Sequence, residues 1–263
     1  MKISICGKGG SGKSTIVTLL ANEVKAKGYR VLVVDSDESN SGLYRMLGFD
    51  YPPVPLMELV GGKKGLKDRM AVRFSSGESE VKMEVLAQDK IHVKDIPSQH
   101  IAQRDDLRLL NIGKILHSLE GCACPMGVLS REFLVKLCLD EDEVVIVDME
   151  AGVEHFGRGI ETSIDKVLVI VEPSFESLEL ALKVKELAAG ARVDNTWAII
   201  NKIASDEIAL RLKDELARRG VEIIGIVHHD PKIFEACLEG RKLGDEVVTE
   251  EIRKIADTLF SKA

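Results

Sequence analysis

The sequence predicts a doubly wound α/β fold with a mainly parallel sheet flanked by helices, and three observations lead there. Short apolar, β-branched runs alternate with longer segments of helical period, the pattern of a parallel sheet covered on both faces. A glycine-rich stretch joins the first such run directly to the first helical segment. The 263 residues are 45% hydrophobic, and a chain of this size buries roughly three quarters of its extended surface without disulfide staples.

Strands are expected at 2–6, 31–35, 107–112, 144–148, 167–171, 197–201 and 223–227. The first helix is expected at 13–27, where Ile16, Val17, Leu19, Leu20 and Val24 share one face and Gly28 gives a C-terminal stop. Further crossover helices are expected at 129–139, 176–189, 205–219 and 246–260. The stretch 49–106 differs: Pro52, Pro53 and Pro55 precede the cluster Gly61-Gly62-Lys63-Lys64-Gly65, followed by alternation at 70–74 and 81–86. It is expected to be an insertion with a helix or two and a short hairpin, within a single domain over 1–263.

Composition narrows the function. The net charge of −7 argues against duplex nucleic acid as the main partner. No apolar run approaches the roughly 18 residues that a membrane span needs. A functional motif begins within six residues of Met1, leaving no room for a signal peptide, so a cytoplasmic location is expected. Five cysteines (Cys6, Cys122, Cys124, Cys138, Cys237) are an odd number for a disulfide framework, which puts metal or buried-thiol roles first. Cys6 and Cys138 are expected as core thiols, the second on an apolar helix face.

Gly7-Lys8-Gly9-Gly10-Ser11-Gly12-Lys13-Ser14-Thr15 follows the first strand and opens the first helix. In such a loop glycines let successive backbone N–H groups and the helix N-terminus point at phosphates. Lys13 is expected on the β and γ phosphates of ATP, and the Ser14 hydroxyl on Mg²⁺. Lys8 cannot easily reach its own γ-phosphate beside Lys13, but it can cross to a nucleotide held by a facing subunit. Asp35-Ser36-Asp37 ends the second strand at the carboxyl edge, where ligands of open α/β sheets bind. Asp37 is the candidate for orienting the attacking water, with Asp35 nearer the Mg²⁺. Asp148, ending a buried strand, is a second Mg²⁺ candidate, and Gly152 offers an N–H to the γ-phosphate.

The loop resembles the deviant Walker A of the dimeric P-loop ATPases that include MinD, the nitrogenase iron protein and the arsenite-pump ATPase. That resemblance implies a nucleotide-sandwiched homodimer with Lys8 acting across it. It also implies that Asn201 reads adenine and that Asp230 packs near the base, although His228 stands where relatives often carry a proline.

Cys122-Ala123-Cys124 lies in a turn-forming neighbourhood between Gly121 and Pro125-Met126-Gly127. In an extended stretch, residues two apart face the same way, so both thiolates can aim at one point. Two sulfurs are half the set that Zn²⁺, Ni²⁺ or an iron–sulfur cluster wants, and a two-fold dimer supplies the other half. Together with Asp148-Met149-Glu150-Ala151-Gly152-Val153-Glu154-His155, the loop and the Cys-x-Cys pair resemble the CooC-type ATPases, accessory proteins of carbon monoxide dehydrogenase. The resemblance implies insertion of nickel, with Ni²⁺ or Zn²⁺ held between subunits. It also implies apo carbon monoxide dehydrogenase (or an acetyl-CoA synthase complex) as partner; nucleic acid and membrane are not expected, given the acidic balance and a charge-neutral tail over 250–263. Glu150, Glu154 and His155 would then carry movement from nucleotide to metal, or simply form structural ion pairs. Two alternatives stay open: an iron–sulfur reductase or carrier, and a positioning ATPase of the MinD or ParA kind.

Overall fold

The computed structural model describes residues 1–75, 85–114, 124–244 and 249–261. The sheet strands are β1 (Lys2–Gly7), β2 (Arg30–Asp35), β4 (Ile101–Arg104), β5 (Leu107–Asn111), β7 (Glu143–Asp148), β8 (Lys166–Val171), β9 (Thr196–Ile203) and β10 (Ile223–His228); β3 (Ile91–His92) and β6 (Leu137–Cys138) form a separate parallel pair. The sheet order is β10-β9-β8-β1-β7-β2-β5-β4, parallel throughout except for the β4–β5 edge. The expected doubly wound class is what the chain adopts.

Alternation along the strands sorts side chains into two cores. Ile3, Ile5, Val31, Val33, Val144 and Ile146 face α1 (Lys13–Ala26) and α9 (Thr249–Ser261). Cys6, Leu32, Val34, Val145 and Val147 join the other cluster with residues of α4 (Cys124–Lys136), α6 (Phe175–Gly190) and α7 (Asp206–Arg218). A strand buried on both sides needs apolar residues at both parities, so these strands read as continuous runs.

Register then places the acids. Asp35 pairs with Asp148 on one side and with Asn111 on the other, so three polar side chains end their strands at one level. This carboxyl edge is where α1 begins, after Gly12 at φ 94. There the backbone takes a left-handed conformation that glycine adopts at little cost.

Several boundaries differ from expectation. The helix expected at 129–139 starts earlier, at Cys124, because Pro125 suits a first helical turn. It ends at Lys136, since Leu137–Cys138 leave to pair with β3. Cys138 is therefore half-buried on a strand rather than on an apolar helix face, with its thiol donating to the Lys136 carbonyl at 3.7 Å. Cys6 is buried as expected.

In the insertion, 70–74 is not a strand but part of α3 (Gly62–Ser75). Residues 81–84 of the other expected arm lie outside the described residues. The hairpin that does form is β4–β5, its turn carried by Asp105 at φ 52, a conformation that Asp tolerates better than most residues. Leu56, Met57, Val60 and Leu66 of the insertion share the apolar cluster of Phe133 on α4. The last helix begins at Thr249, residues 246–248 of its expected span being outside those described. No helix among the described residues is long and apolar enough to cross a membrane.

Candidate nucleotide site

The loop between β1 and α1 is compact and tied down. Gly7 lies at φ 147, and a Cβ there would sit 2.7 Å from the Ile170 carbonyl oxygen, so only glycine fits the approach to β8. Ser11 N–H donates to Lys8 O at 3.2 Å, and Ile16 N–H to Gly12 O at 3.0 Å. From the end of β9, the Asn201 amide donates to the Ser11 carbonyl at 2.8 Å, and the Lys202 ammonium donates to that of Gly10. The Gly152 N–H, expected to meet a γ-phosphate, donates here to the Gly7 carbonyl at 3.2 Å. These contacts fix a cradle of main-chain donors at a helix N-terminus, an arrangement that favours phosphate.

The two loop lysines stand apart. Lys13 is 7% exposed, and its ammonium donates to the Lys8 carbonyl at 3.5 Å. The Lys8 side chain is 39% exposed and lies 3.2 Å from Glu172 Oε1, just past β8, with Glu176 at 4.0 Å. Glu172 also lies 3.7 Å from Lys202.

Asp35, Asp37 and Asp148 are all buried. Asp148 Oδ2 accepts the Ser14 hydroxyl at 2.6 Å and the Asn40 amide at 3.4 Å, and Asn40 also donates to Ser14 Oγ at 2.7 Å. Asp35 Oδ2 is 2.7 Å from the Lys114 ammonium. Burial pushes the Asp148 carboxyl up to about 6, against the Ser14 hydrogen bond and Lys13. It pushes Asp35 up to about 7, against Lys114. The remaining oxygens, Asp35 Oδ1 and Asp148 Oδ1, are buried without a hydrogen-bond partner. Buried oxygens of this kind are costly unless a cation satisfies them, and with the Ser14 hydroxyl they form an all-oxygen set that suits Mg²⁺. Asp37 is turned back onto its own loop, accepting from Ser39 N at 2.9 Å and Ser39 Oγ at 2.6 Å.

Beside the loop a cleft of about 410 Å³ is lined by Thr15, Leu19, Asn201, Val227, Asp230 and Phe234, among others. Its apolar walls suit a planar base. Asp230 caps α8 (Pro231–Glu239) by accepting from Lys232 N at 2.8 Å. His228 turns to Glu251, with Nδ1 at 2.6 Å from Oε1. Cys237 is exposed on the cleft wall, 4.0 Å from the Thr15 hydroxyl.

The residues after Asp148 form ion pairs and turns. Glu150 is 2.6 Å from Arg158, Glu154 accepts from Val153 N at 3.0 Å, and the buried His155 ring packs against Phe156. Cys122 lies outside the described residues. Cys124 opens α4, a helical backbone rather than the extended stretch in which both thiols share a face, and its side chain is likewise not described. Among the described residues, no group of three or more His, Cys, Asp or Glu is placed to hold a metal ion.

Sequence reasoning missed four residues of the site: Asn40, Lys114, Glu172 and Lys202. Three of them could have been found, because Lys114 and Glu172 closely follow strands that end at the site's edge and Lys202 adjoins Asn201.

Comparison with known proteins agrees with this geometry. The chain is 40% identical over 261 residues to an uncharacterized ATP-binding protein of Methanocaldococcus jannaschii, covering 98% of this chain and 99% of that one. It is 34% identical over 205 residues to the carbon monoxide dehydrogenase accessory protein CooC of Rhodospirillum rubrum, covering 78% and 75%. The septum site-determining protein MinD of Pyrococcus horikoshii, solved with Mg-ADP, shares the fold with a TM-score of 0.69 at 18% identity, covering 98% and 95%. Residues 3–243 match the profile of the CobQ/CobB/MinD/ParA nucleotide binding domain, and the chain is therefore an ATP-binding ATPase of that family.

Proposed function

We propose that this ATPase works as a homodimer that carries one thiolate-bound metal ion, nickel, and delivers it to apo carbon monoxide dehydrogenase or an acetyl-CoA synthase complex. The observation that carries the reading is Cys122-Ala123-Cys124, two thiols within one turn-forming stretch. One copy of this motif offers only two of the four sulfurs that Ni²⁺ or Zn²⁺ wants, and a second copy across a two-fold axis completes four. The 34% identity to a protein named for carbon monoxide dehydrogenase supports the recipient.

In this reading Lys13 and the main-chain donors of Gly7–Thr15 hold the phosphates of ATP. Ser14, Asp148 and Asp35 hold Mg²⁺, which supplies positive charge against the β and γ phosphates. Asp37 leaves Ser39 to orient the attacking water. Lys8 leaves Glu172 to reach the nucleotide of the partner subunit. Gly152 exchanges the Gly7 carbonyl for the γ-phosphate, Asn201 faces adenine, and Asp230 frames the base. ATP closes the dimer and gathers the four thiolates; hydrolysis loosens it and releases the cargo. Thermodynamically, the metal must bind one nucleotide state more tightly than the other.

The test is Cys122→Ser combined with Cys124→Ser. Metal binding is expected to vanish while ATP binding persists; unchanged metal stoichiometry would remove the proposal. The same four thiolates suit a [4Fe–4S] cluster, so a broad visible band near roughly 400 nm after anaerobic purification would favour the iron–sulfur reading instead.

A further inference from the structure

Asn40 makes contacts that the phosphate loop does not require. Its Nδ2 donates to Ser14 Oγ at 2.7 Å and reaches Asp148 Oδ2 at 3.4 Å, while its Oδ1 accepts the Gly42 N–H at 2.9 Å. Ser14 gives its one hydroxyl proton to Asp148 Oδ2 at 2.6 Å, so toward Asn40 it can only accept. The Gly42 N–H can only donate. The amide is therefore held one way round, with its NH₂ group aimed into the notch between Ser14 and Asp148.

That notch lies between two of the oxygens expected to meet Mg²⁺. The ion demands a near-octahedral shell of oxygens at roughly 2.0–2.1 Å. An N–H aimed into the notch takes up part of that shell and turns the positive end of a dipole toward the ion. For both to stay, the amide would have to turn its oxygen inward, and that also gives up the Gly42 N–H. A neutral amide is the weaker occupant, since it leaves Asp148 Oδ1 buried without a hydrogen-bond partner.

Asn40 also belongs to the turn that carries Asp37. Three residues earlier, Asp37 Oδ1 accepts both the N–H and the hydroxyl of Ser39. Two residues later, Gly42 immediately precedes α2 (Leu43–Met46). Local bonds thus run through 37–42 and reach the Ser14–Asp148 pair through Asn40. Ser39 and Ser41 are exposed and Asn40 is half-buried, so little packing holds these residues once that anchor is drawn.

We propose that Asn40 is a positioning residue that exchanges with Mg²⁺ between Ser14 and Asp148, and that the exchange frees the 37–42 turn so that Asp37 can leave Ser39. The inference rests on the reading of Ser14 and Asp148 as Mg²⁺ ligands.

The experiment uses the full chain with ADP and follows Mn²⁺ binding by electron paramagnetic resonance, with Mg²⁺ as the displacing ion. Asn40→Ala is expected to bind both ions about three- to tenfold more tightly, the worth of roughly one hydrogen bond that the ion no longer has to break. Asn40→Asp is expected to tighten both further, since its carboxylate oxygen is a ligand where the amide nitrogen is a rival. ADP affinity of Asn40→Ala in EDTA is expected to stay within about twofold of wild type, because the loop still holds the phosphates. Hydrogen exchange of the peptide spanning 37–43, read by mass spectrometry, follows the release. Wild type is expected to exchange faster with Mg²⁺ and ADP than with ADP in EDTA, and Asn40→Ala to exchange fast in both.

Unchanged or weaker Mg²⁺ binding in Asn40→Ala would overturn the proposal, as would wild-type exchange that Mg²⁺ leaves unchanged or slows. Should Asn40→Ala fail to fold, Asn40→Asp carries the affinity test, and equal or weaker binding there has the same force. Asp148→Asn separates the exchange from the ion site itself. If it loses Mn²⁺ while Asn40→Ala binds as wild type does, the site stands and the exchange falls. If it binds Mn²⁺ as tightly as wild type, the reading of the site falls and the exchange with it.

Discussion

Glu172→Gln is expected to strengthen ATP-dependent dimerisation. In the single chain Glu172 holds the Lys8 ammonium at 3.2 Å, the side chains being 39% and 19% exposed. A pair this open is screened by water and contributes about 0.5–1 kcal/mol. Lys8 has to leave it to act across a dimer, so each closure breaks two such contacts. Removing the acid therefore gains about 1–2 kcal/mol per dimer, a factor of about 5–30 in the dissociation constant. Lys202 keeps its bond to the Gly10 carbonyl, so the loop itself stays in place. Sedimentation equilibrium with a slowly hydrolysed ATP analogue reads the constant directly, and ATPase activity at low protein concentration should rise in step. In a Lys8→Ala background the Glu172 substitution should have no effect on dimerisation. Unchanged or weaker dimerisation in Glu172→Gln would refute the reasoning, as would an equal gain in the Lys8→Ala background.

Three further outcomes follow from the site's energetics. Asp148→Asn should stabilise the nucleotide-free chain by on the order of 1–3 kcal/mol while abolishing Mg²⁺-dependent hydrolysis, since burial raises the native carboxyl to about 6 and native protein keeps its proton longer than unfolded. Its contribution to stability accordingly falls as pH rises from about 4 to about 6, and melting curves of wild type and variant should converge at the acid end. Asn201→Ala should cost about 1–3 kcal/mol by urea unfolding and weaken ATP binding, because the Ser11 carbonyl loses its buried donor. His228 is raised above its ordinary value by its hydrogen bond to Glu251, with Asp206 adding to it. Its stabilisation is therefore complete below the ordinary histidine value and lost as pH rises through the higher native one; His228→Asn should flatten the melting temperature across that range.

Much of this molecule was legible because its signals are local. Short, β-branched apolar runs bounded by turn residues read as strands buried on both faces, and strand ends in such a sheet are where acids meet ligands, so Asp35 and Asp148 were legible from their positions. Pairing that joins distant segments was not legible. Nothing in Leu137–Cys138 distinguishes the end of a helix from a strand until Ile91–His92 lies beside it. The alternation at 70–74 suggested a strand, yet the structure continues a helix through it from Gly62. Lys114 escaped notice for a related reason. Its place just past a strand end put it near the site's edge, but only the fold shows that it is buried against Asp35.

The most direct test of the account is native mass spectrometry of the full chain with nickel, carried out with a slowly hydrolysed ATP analogue, with ADP and without nucleotide. The account predicts a dimer carrying one nickel ion and two nucleotides in the triphosphate state, and a smaller share of that species with ADP. Nickel bound stoichiometrically to a single chain, or a nucleotide-bound dimer that never takes up metal, would contradict it.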